Sequence, residues 1–246
     1  MKHYKNETRQ EQADGVLLVD KGQDMTSHDV VAVARKRLNQ KKIGHCGTLD
    51  PMATGLLILV IGRATKIQDL LMAEEKEYVG IIRLGAATST QDRQGEVLET
   101  RPVPEFTREE IVAAFEKFKG DFYQMPPMVS AIKKDGVPLY KLARQGQTVE
   151  REPRLVTVFH YEIQEIALPD IRFRVVCSKG FYVRTYAHDI GEDLGCGAHL
   201  AELRRTRSGK FAVDGAIDFP SLKAASREDV AARLLSLREV SRLRGA

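Results

Sequence analysis

The chain contains no tryptophan, only three cysteines among its 246 residues, and no long apolar run. Because the cysteine count is odd and no C-x-x-C pair occurs, neither a disulfide framework nor a zinc knuckle is indicated. The stretch "LLILVIG" from Leu56 is far shorter than the roughly 18 apolar residues that a membrane-spanning helix needs. The sequence thus carries no mark of a disulfide-stapled or membrane-embedded protein, and we expect no membrane partner.

The spacing of the histidines and the composition of the N-terminus argue against two further classes, metalloproteins and secreted proteins. The six histidines are scattered and none has H-E-x-x-H spacing, so we predict no metal site. The opening segment "MKHYKNETRQEQAD" is polar and lacks the apolar core of a secretory signal, which favours a cytoplasmic protein. We expect residues 1–14 to form a flexible tail, followed by a single domain over 15–246.

The distribution of basic residues is more informative than the net charge of +4. Two groups are separated by acid-containing sequence: Lys133, Lys134, Lys141 and Arg144 in the first, and Arg204, Arg205, Arg207 and Lys210 in the second. Each group alone is also compatible with an ordinary solvated face. Together they favour a surface that follows the phosphates of a nucleic acid.

Strands and helices are predicted in a mixed order. Period-two or continuous apolar runs indicate strands at "GVLLVDK", "ATGLLILVIG", "KEYVGIIRLG", "LVTVFHYEIQEIAL" and "IRFRVVCS". Helices are predicted from an N-cap at Ser27, near "ATKIQDLLM", from the Thr107–Glu110 capping box, near "FYVRTYAHDIGEDLG", and as one long helix over "REDVAARLLSLREVSRLR". Since no regular βαβ alternation is present, we expect an α+β fold with a large, mostly antiparallel mixed sheet flanked by helices.

The stretch "KKIGHCGTLDPMATGLLIL" holds one carboxylate, Asp50, on a loop bounded by Gly47 and Gly55. An aspartate before a proline is often only a turn residue, and that reading stays open. A carboxylate is also ionised well above its ordinary pKa of about 3.9 and can act as a nucleophile. Such a group needs a cation to orient it, and Arg184 in "KGFYVRTYAHDIG" is a candidate because a guanidinium matches a carboxylate.

Four motifs in this order, "GHCGTLDPMATGLL", "KEYVGIIRLG", "KGFYVRTYAHDIG" and "GAHLAELRRTRSG", closely resemble the TruB-type tRNA pseudouridine synthases. The resemblance covers about residues 15–243 and implies the pseudouridine synthase fold. It implies conversion of uridine 55 in the T-loop of tRNA to pseudouridine, with base flipping and an aspartate-dependent break and rejoining of the glycosidic bond. Because nothing enters or leaves in that isomerisation, no cofactor is implied.

The resemblance assigns roles to particular residues. Asp50 matches the catalytic aspartate, Arg184 the arginine that pairs with it, and Tyr78 the aromatic residue that stacks on the target base. Leu203 matches an apolar wall of the uracil pocket, and Tyr182 is expected beside it. The aspartate could attack C6 of the base, attack C1′ of the ribose or remove the C2′ proton.

Further residues are expected to bind the RNA around this pocket. By resemblance His45 inserts into the T-loop when the target base is flipped, and Lys21 lies near the floor of the site, as a structural or phosphate-adjacent residue. Arg204 and Arg205 are expected to contact phosphates.

The sequence departs from the family pattern in two places. The usual K-P-x-G-x-T-S opening reads "KGQDMTS" here, with Gly22 in place of proline and Asp24 in place of glycine, which loosens the turn after Lys21. We also expect no C-terminal RNA-binding domain of the PUA type, because the chain stops at Ala246. Residues near 124–150 should then form an RNA-binding insertion that, with the catalytic domain, supplies most of the affinity for the RNA. By analogy with the family we expect a monomer with tRNA as its partner.

Two other functions compete with the isomerase. One is an RNA-binding and folding module in which catalysis is secondary; the presence of Asp50, Tyr78 and Arg184 together favours catalysis. The other is a hydrolase with an aspartate nucleophile acting on a small substrate, against which the basic groups argue.

Overall fold

The computed structural model describes residues 12–130, 133–134, 137–138 and 149–245. Its strands are β1 Gly15–Lys21, β2 Ile43–His45, β3 Thr54–Ile61, β4 Lys76–Leu84, β5 Ala86–Thr88, β6 Val97–Thr100, β7 Gly120–Gln124, β8 Lys133–Lys134, β9 Val137–Pro138, β10 Arg154–Ala167, β11 Asp170–Cys177, β12 Ala198–Ser208, β13 Phe211–Ala212 and β14 Ile217–Asp218. Its α-helices are α1 Ser27–Leu38, α2 Gln68–Met72, α3 Arg108–Glu116, α4 Val183–Asp193, α5 Phe219–Ala224, α6 Arg227–Ala232 and α7 Leu237–Arg244, with 3₁₀ turns at Gly62–Ile67 and Val213–Gly215.

One large sheet organises the molecule, in the order β14-β1-β3-β12-β4-β11-β10-β7, with β2 and β13 attached beside β3 and β12. The β1–β14 and β3–β12 pairs are parallel and the other pairs are antiparallel. The predicted α+β fold with a large, mostly antiparallel mixed sheet is confirmed. Two hairpin sheets, β5–β6 and β8–β9, lie outside it.

Strand β3 is buried on both faces, as its continuous apolar run predicted. Alternate residues of the strand enter two apolar clusters: Leu57, Leu59 and Ile61 contact the larger core, and Leu56, Ile58 and Val60 the smaller one. The α1, α3 and α4 helices cover the face with the larger core, and α7 contributes Val240 to the other. This rigid strand directly follows the Asp50 loop, so the loop has a fixed base.

Two helix predictions need correction. Helix α1 is capped by Thr26, whose side chain accepts a hydrogen bond from the Asp29 amide, and Ser27 is the first helical residue. The helix predicted over 227–244 is divided into α6 and α7, because Leu235 leaves the helix to exchange two backbone hydrogen bonds of 2.9 Å with Val16. Ser236 then caps α7 in a capping box of its own.

The central strand β12 was missed, because the six polar and charged residues of "ELRRTRS" hide the alternation that predicts a strand. It nevertheless lies between β3 and β4 in the middle of the sheet. Gly55 makes this possible: its φ is +98°, and a Cβ there would lie 2.2 Å from the Arg205 carbonyl oxygen. The glycine therefore lets β12 approach the base of the Asp50 loop.

The remaining domain predictions fall largely outside the described residues. Of the predicted tail, residues 12–14 are described, and the Ala13 amide donates to Gln40 Oε1 at 2.9 Å. Most of the predicted insertion near 124–150 also lies outside. No helix among the residues described is long and apolar enough to cross a membrane.

Candidate active site

A pocket of about 670 Å³ opens where the Asp50 loop, the start of α4 and the middle of the sheet meet. It brings together Asp50, Tyr78, Tyr182, Arg184, Leu203 and Arg205, six of the residues singled out in the sequence. Lys21, His45 and Arg204 lie outside the lining that the described residues define. Strands β4 and β12 supply the floor, and the segment from Ser178 to Arg184 supplies one wall.

The Asp50 loop is held from behind by two contacts with the start of the chain. Ser27 Oγ and the Leu49 amide lie 2.9 Å apart, so the serine accepts a hydrogen bond from the loop. Lys21 Nζ donates to the carbonyl oxygens of Gly22 and Met25 at 2.8 Å, and to that of Pro51 at 3.3 Å. Lys21 is completely buried, and this burial lowers its pKa to about 8. It therefore acts as a support beneath the loop.

Asp50 forms an ion pair with Arg184 inside the pocket. Arg184 Nε donates to Asp50 Oδ2 at 2.8 Å, and Nη2 donates to Oδ1 at 3.3 Å. The arginine side chain is only 3 % exposed, whereas the Asp50 side chain is 34 % exposed. The pairing of charges that the residue types suggested is present, and the carboxylate remains accessible from the pocket.

Arg184 also ties two further segments to the site. Its Nη1 donates to the Thr90 carbonyl and its Nη2 to the Val129 carbonyl, both at 2.8 Å. Because a guanidinium is planar, these bonds fix the orientation in which it meets Asp50.

A second carboxylate, Asp92, was missed by the sequence reasoning. It is 4 % exposed, and its Oδ2 lies 3.8 Å from Arg184 Nε. Its Oδ1 accepts hydrogen bonds from Thr90 Oγ1 at 2.6 Å and from the Gln94 amide at 3.0 Å. In the polar segment "TSTQDRQGE" nothing distinguishes this acid from one in a solvated turn, so only the fold shows that it faces Arg184.

Tyr78, Leu203 and Tyr182 form the walls around the ion pair. Tyr78 is 9 % and Leu203 8 % exposed, and the two residues lie on the neighbouring central strands β4 and β12. Burial raises the pKa of Tyr78, with the nearby Arg205 guanidinium acting in the opposite direction. Burial likewise raises the pKa of Tyr182, whose backbone is fixed by two hydrogen bonds with the Gln124 side chain. Both phenols are therefore neutral near pH 7.

His45 ends β2, two residues before Gly47, and its ring packs against His28 with centroids 5.3 Å apart. Burial, with the charges of His28 and Arg205, lowers the pKa of His45 to about 4. At neutral pH the ring is uncharged, which suits packing against a base better than binding a phosphate.

The structure separates the two arginines that were expected to contact phosphates. Arg204 is 42 % exposed and forms a bidentate pair with Asp20, at 2.9 and 2.7 Å. Arg205 is 1 % exposed, and its guanidinium donates to the carbonyls of Leu56 and Gly47. A surface phosphate contact by Arg205 was therefore a wrong expectation; the β12 backbone turns its side chain under the pocket.

The site can carry out covalent chemistry with its own side chains. A carboxylate oriented by a guanidinium can attack an electrophilic carbon or accept a proton. Tyr78 offers a flat aromatic face, and Leu203 an apolar surface, for a planar ring beside it. Among the residues that the structure describes, no group of histidine, cysteine and acidic side chains could hold a metal ion.

Comparisons with known proteins identify the family. A model of the TruB family pseudouridylate synthase N-terminal domain matches residues 35–183, and a model of the tRNA pseudouridylate synthase B C-terminal domain matches 184–240. A tRNA pseudouridine synthase B of Opitutus terrae is 58 % identical over 90 % of this chain and 92 % of its own length. The two matched parts of the chain share one sheet, because β12, in the second part, lies between β3 and β4, in the first.

Two solved structures are similar in both fold and sequence. A chain of a Cbf5–Nop10–Gar1 complex matches with a TM-score of 0.71 and 31 % identity, over 94 % of this chain and 62 % of its own. A chain of an H/ACA RNP bound to a substrate RNA containing 2′-deoxyuridine matches with a TM-score of 0.63 and 33 % identity, over 85 % of this chain and 52 % of its own. With the family models and the Opitutus relative, these matches show that the chain belongs to the TruB family of pseudouridylate synthases.

Proposed function

We propose that this enzyme converts uridine 55 in the T-loop of tRNA to pseudouridine, working as a cytoplasmic monomer. The observation that carries the proposal is the Asp50–Arg184 ion pair, which opens into a pocket lined by Tyr78. The name of the Opitutus relative supports tRNA as the substrate, and the H/ACA complex supports RNA binding by this fold.

The target base must leave the RNA stack to reach Asp50, because the carboxylate lies inside a pocket and not on an open surface. Tyr78 and Leu203 would hold the flipped uracil between them, with Tyr182 at the rim. Neutral His45, beside the loop, would pack in the space that the base leaves in the T-loop.

Asp50 would then break the N-glycosidic bond by attack at C6, attack at C1′ or removal of the C2′ proton, and Arg184 would hold the carboxylate in a fixed orientation. The ring turns and its C5 bonds to C1′, and Asp50 is released from C6 or C1′ or returns its proton to C2′. The C5 proton is lost and N1 gains a proton, so atoms and charge balance.

The test incubates an unmodified T-arm stem-loop with the wild-type protein and with Asp50→Asn. Pseudouridine is then mapped by chemical labelling and primer extension. We expect a stop at the T-loop uridine with the wild type alone. Asp50→Asn should abolish turnover yet bind the RNA within about 1 kcal/mol of the wild type, because it preserves volume and removes the nucleophile.

Two results would contradict this proposal. If RNA binding falls together with activity, Asp50 contributes to the stability of the fold or to the affinity for RNA, and not to catalysis alone. If neither protein forms pseudouridine although both bind the stem-loop tightly, the chain is an RNA-binding and folding module.

A further inference from the structure

The pocket and the loop behind it hold more buried cations than buried anions. Lys21, Lys76, Arg184 and Arg205 are all at most 6 % exposed. The carboxylates near them are the buried Asp92, the partly exposed Asp50 and the exposed Asp69, so Asp92 is the buried one of the three. A buried positive charge without a counter-charge is costly, so an excess of this kind indicates that the site is built to receive negative charge.

Lys21 supports the loop from outside the pocket lining, so Lys76 and Arg205 are the buried cations that supply the excess within the pocket. Both line the pocket next to Tyr78, and Arg205 is the direct cross-strand neighbour of Tyr78. Lys76 Nζ donates to the carbonyls of Met72, the last residue of α2, and Glu74, each at 2.5 Å. Arg205 donates to the carbonyls of Leu56 and Gly47, at 2.6 and 3.2 Å. These are neutral acceptors, and within the described part of the chain neither cation forms an ion pair with a carboxylate.

We propose that Lys76 and Arg205 form a cationic floor of the pocket that stabilises the negative charge developed on the uracil ring during isomerisation. The inference rests on the proposed function. The floor is defined by these two side chains, which line the pocket together with Tyr78, the residue on which the base would stack. It is distinct from Arg184, whose charge is already balanced by Asp50.

The ring becomes anionic on every path open to Asp50. Attack of the carboxylate at C6 moves an electron pair of the C5–C6 double bond onto the ring and its O4 oxygen. If the glycosidic bond breaks instead, its pair leaves on N1, while Asp50 forms an ester bond to C1′ or takes the C2′ proton. The ring becomes neutral again when C5 bonds to C1′ and loses its proton and N1 gains one, while Asp50 leaves C6 or C1′ or returns its proton to C2′. A fixed cation beside the ring lowers the energy of these states without any reorganisation.

The experiment measures single-turnover conversion of a T-arm stem-loop that carries tritium on C5 of the target uridine, by release of tritium to water. Lys76→Met should slow conversion roughly 10- to 100-fold and leave the Kd for the RNA within about threefold. Lys76→Arg, which keeps the charge, should recover most of the rate. Lys223→Met, which removes an exposed lysine on α5, is the matched control and should change nothing.

The pH profile separates an electrostatic role from a structural one. Burial lowers the pKa of Lys76 to about 8, helped by Arg205 on β12 and opposed by Cys46, Cys177 on β11 and Glu74. The wild-type rate should therefore fall above pH 8, and the plateau of Lys76→Arg should extend to higher pH. Lys21, whose pKa is also about 8, is unchanged between the two proteins.

Arg205→Met tests the second cation of the floor independently, by the same measurement of the conversion rate, provided that its thermal unfolding midpoint matches that of the wild type. The inference is overturned if Lys76→Met reacts within threefold of the wild type, if its RNA affinity falls as much as its rate, or if the wild-type and Lys76→Arg pH profiles coincide. A wild-type protein that releases no tritium would instead refute the proposed function.

Discussion

Replacing Arg184 by lysine isolates the geometry of the ion pair from its charge. Arg184 donates to two Asp50 oxygens and to two loop carbonyls, at 2.8 to 3.3 Å. A lysine ammonium carries the same charge, but its donors radiate from a single atom, so it cannot reach acceptors on three separate segments. At least one charge-assisted bond is lost, and such bonds contribute about 1.5–3 kcal/mol each.

If that energy is expressed in the transition state, the expected fall in kcat is about 10- to 100-fold, since about 1.4 kcal/mol corresponds to a factor of ten. The Kd for the T-arm stem-loop should change less than about threefold, because Arg184 is 3 % exposed and meets Asp50, not the RNA backbone. Single-turnover kinetics and a filter-binding titration measure the two quantities separately.

Arg174→Lys is the matched control. Arg174 also pairs with two carboxylates, Glu77 and Glu162, but it lies outside the pocket lining. The same substitution there should leave the rate unchanged. A rate for Arg184→Lys within threefold of the wild type would refute the reasoning, because charge alone would then suffice to orient Asp50.

Three other predictions follow from single residues. Gly55→Ala places a Cβ 2.2 Å from the Arg205 carbonyl at φ +98°, so it should destabilise the fold by about 3 kcal/mol; an unchanged urea midpoint would contradict this. Because the pKa of folded His45 is about 4 and that of an unfolded histidine is about 6.5, the unfolded state binds more protons between those values. Stability is therefore lost as pH falls through this range, and His45→Gln should lose less Tm between pH 7 and pH 5 than the wild type; equal losses would show that His45 is not responsible. Arg204→Gln should weaken RNA affinity and flatten its salt dependence, whereas an unchanged slope would show that Arg204 serves only its pair with Asp20.

Much of the fold was readable because its signals are local. The apolar run of β3 predicted a strand buried on both faces, and the Thr107–Glu110 capping box marked the start of α3. These features depend on residues within one turn or one strand, so no tertiary information is needed to recognise them. The division between α6 and α7 could not be predicted in this way, because Leu235 pairs with Val16, a residue near the other end of the chain.

The candidate site divides in the same way. The unusual loop around Asp50 and a suitable cation at Arg184 were visible in the sequence, and the four motifs pointed to the family. Their roles in catalysis stay predictions until the experiments above are done.

What the sequence by itself determined is the class of fold, the family and the residue types of the site. Only the tertiary structure decided that Asp92 faces Arg184, that Arg205 is buried against the pocket, and that Lys76 lines the pocket with no ion pair to any carboxylate among the described residues. The physical reason is that burial and electrostatics depend on neighbours distant in sequence: Asp50 and Arg184 are 134 positions apart. A basic run on a central strand and one on a solvated face look alike until the sheet is assembled.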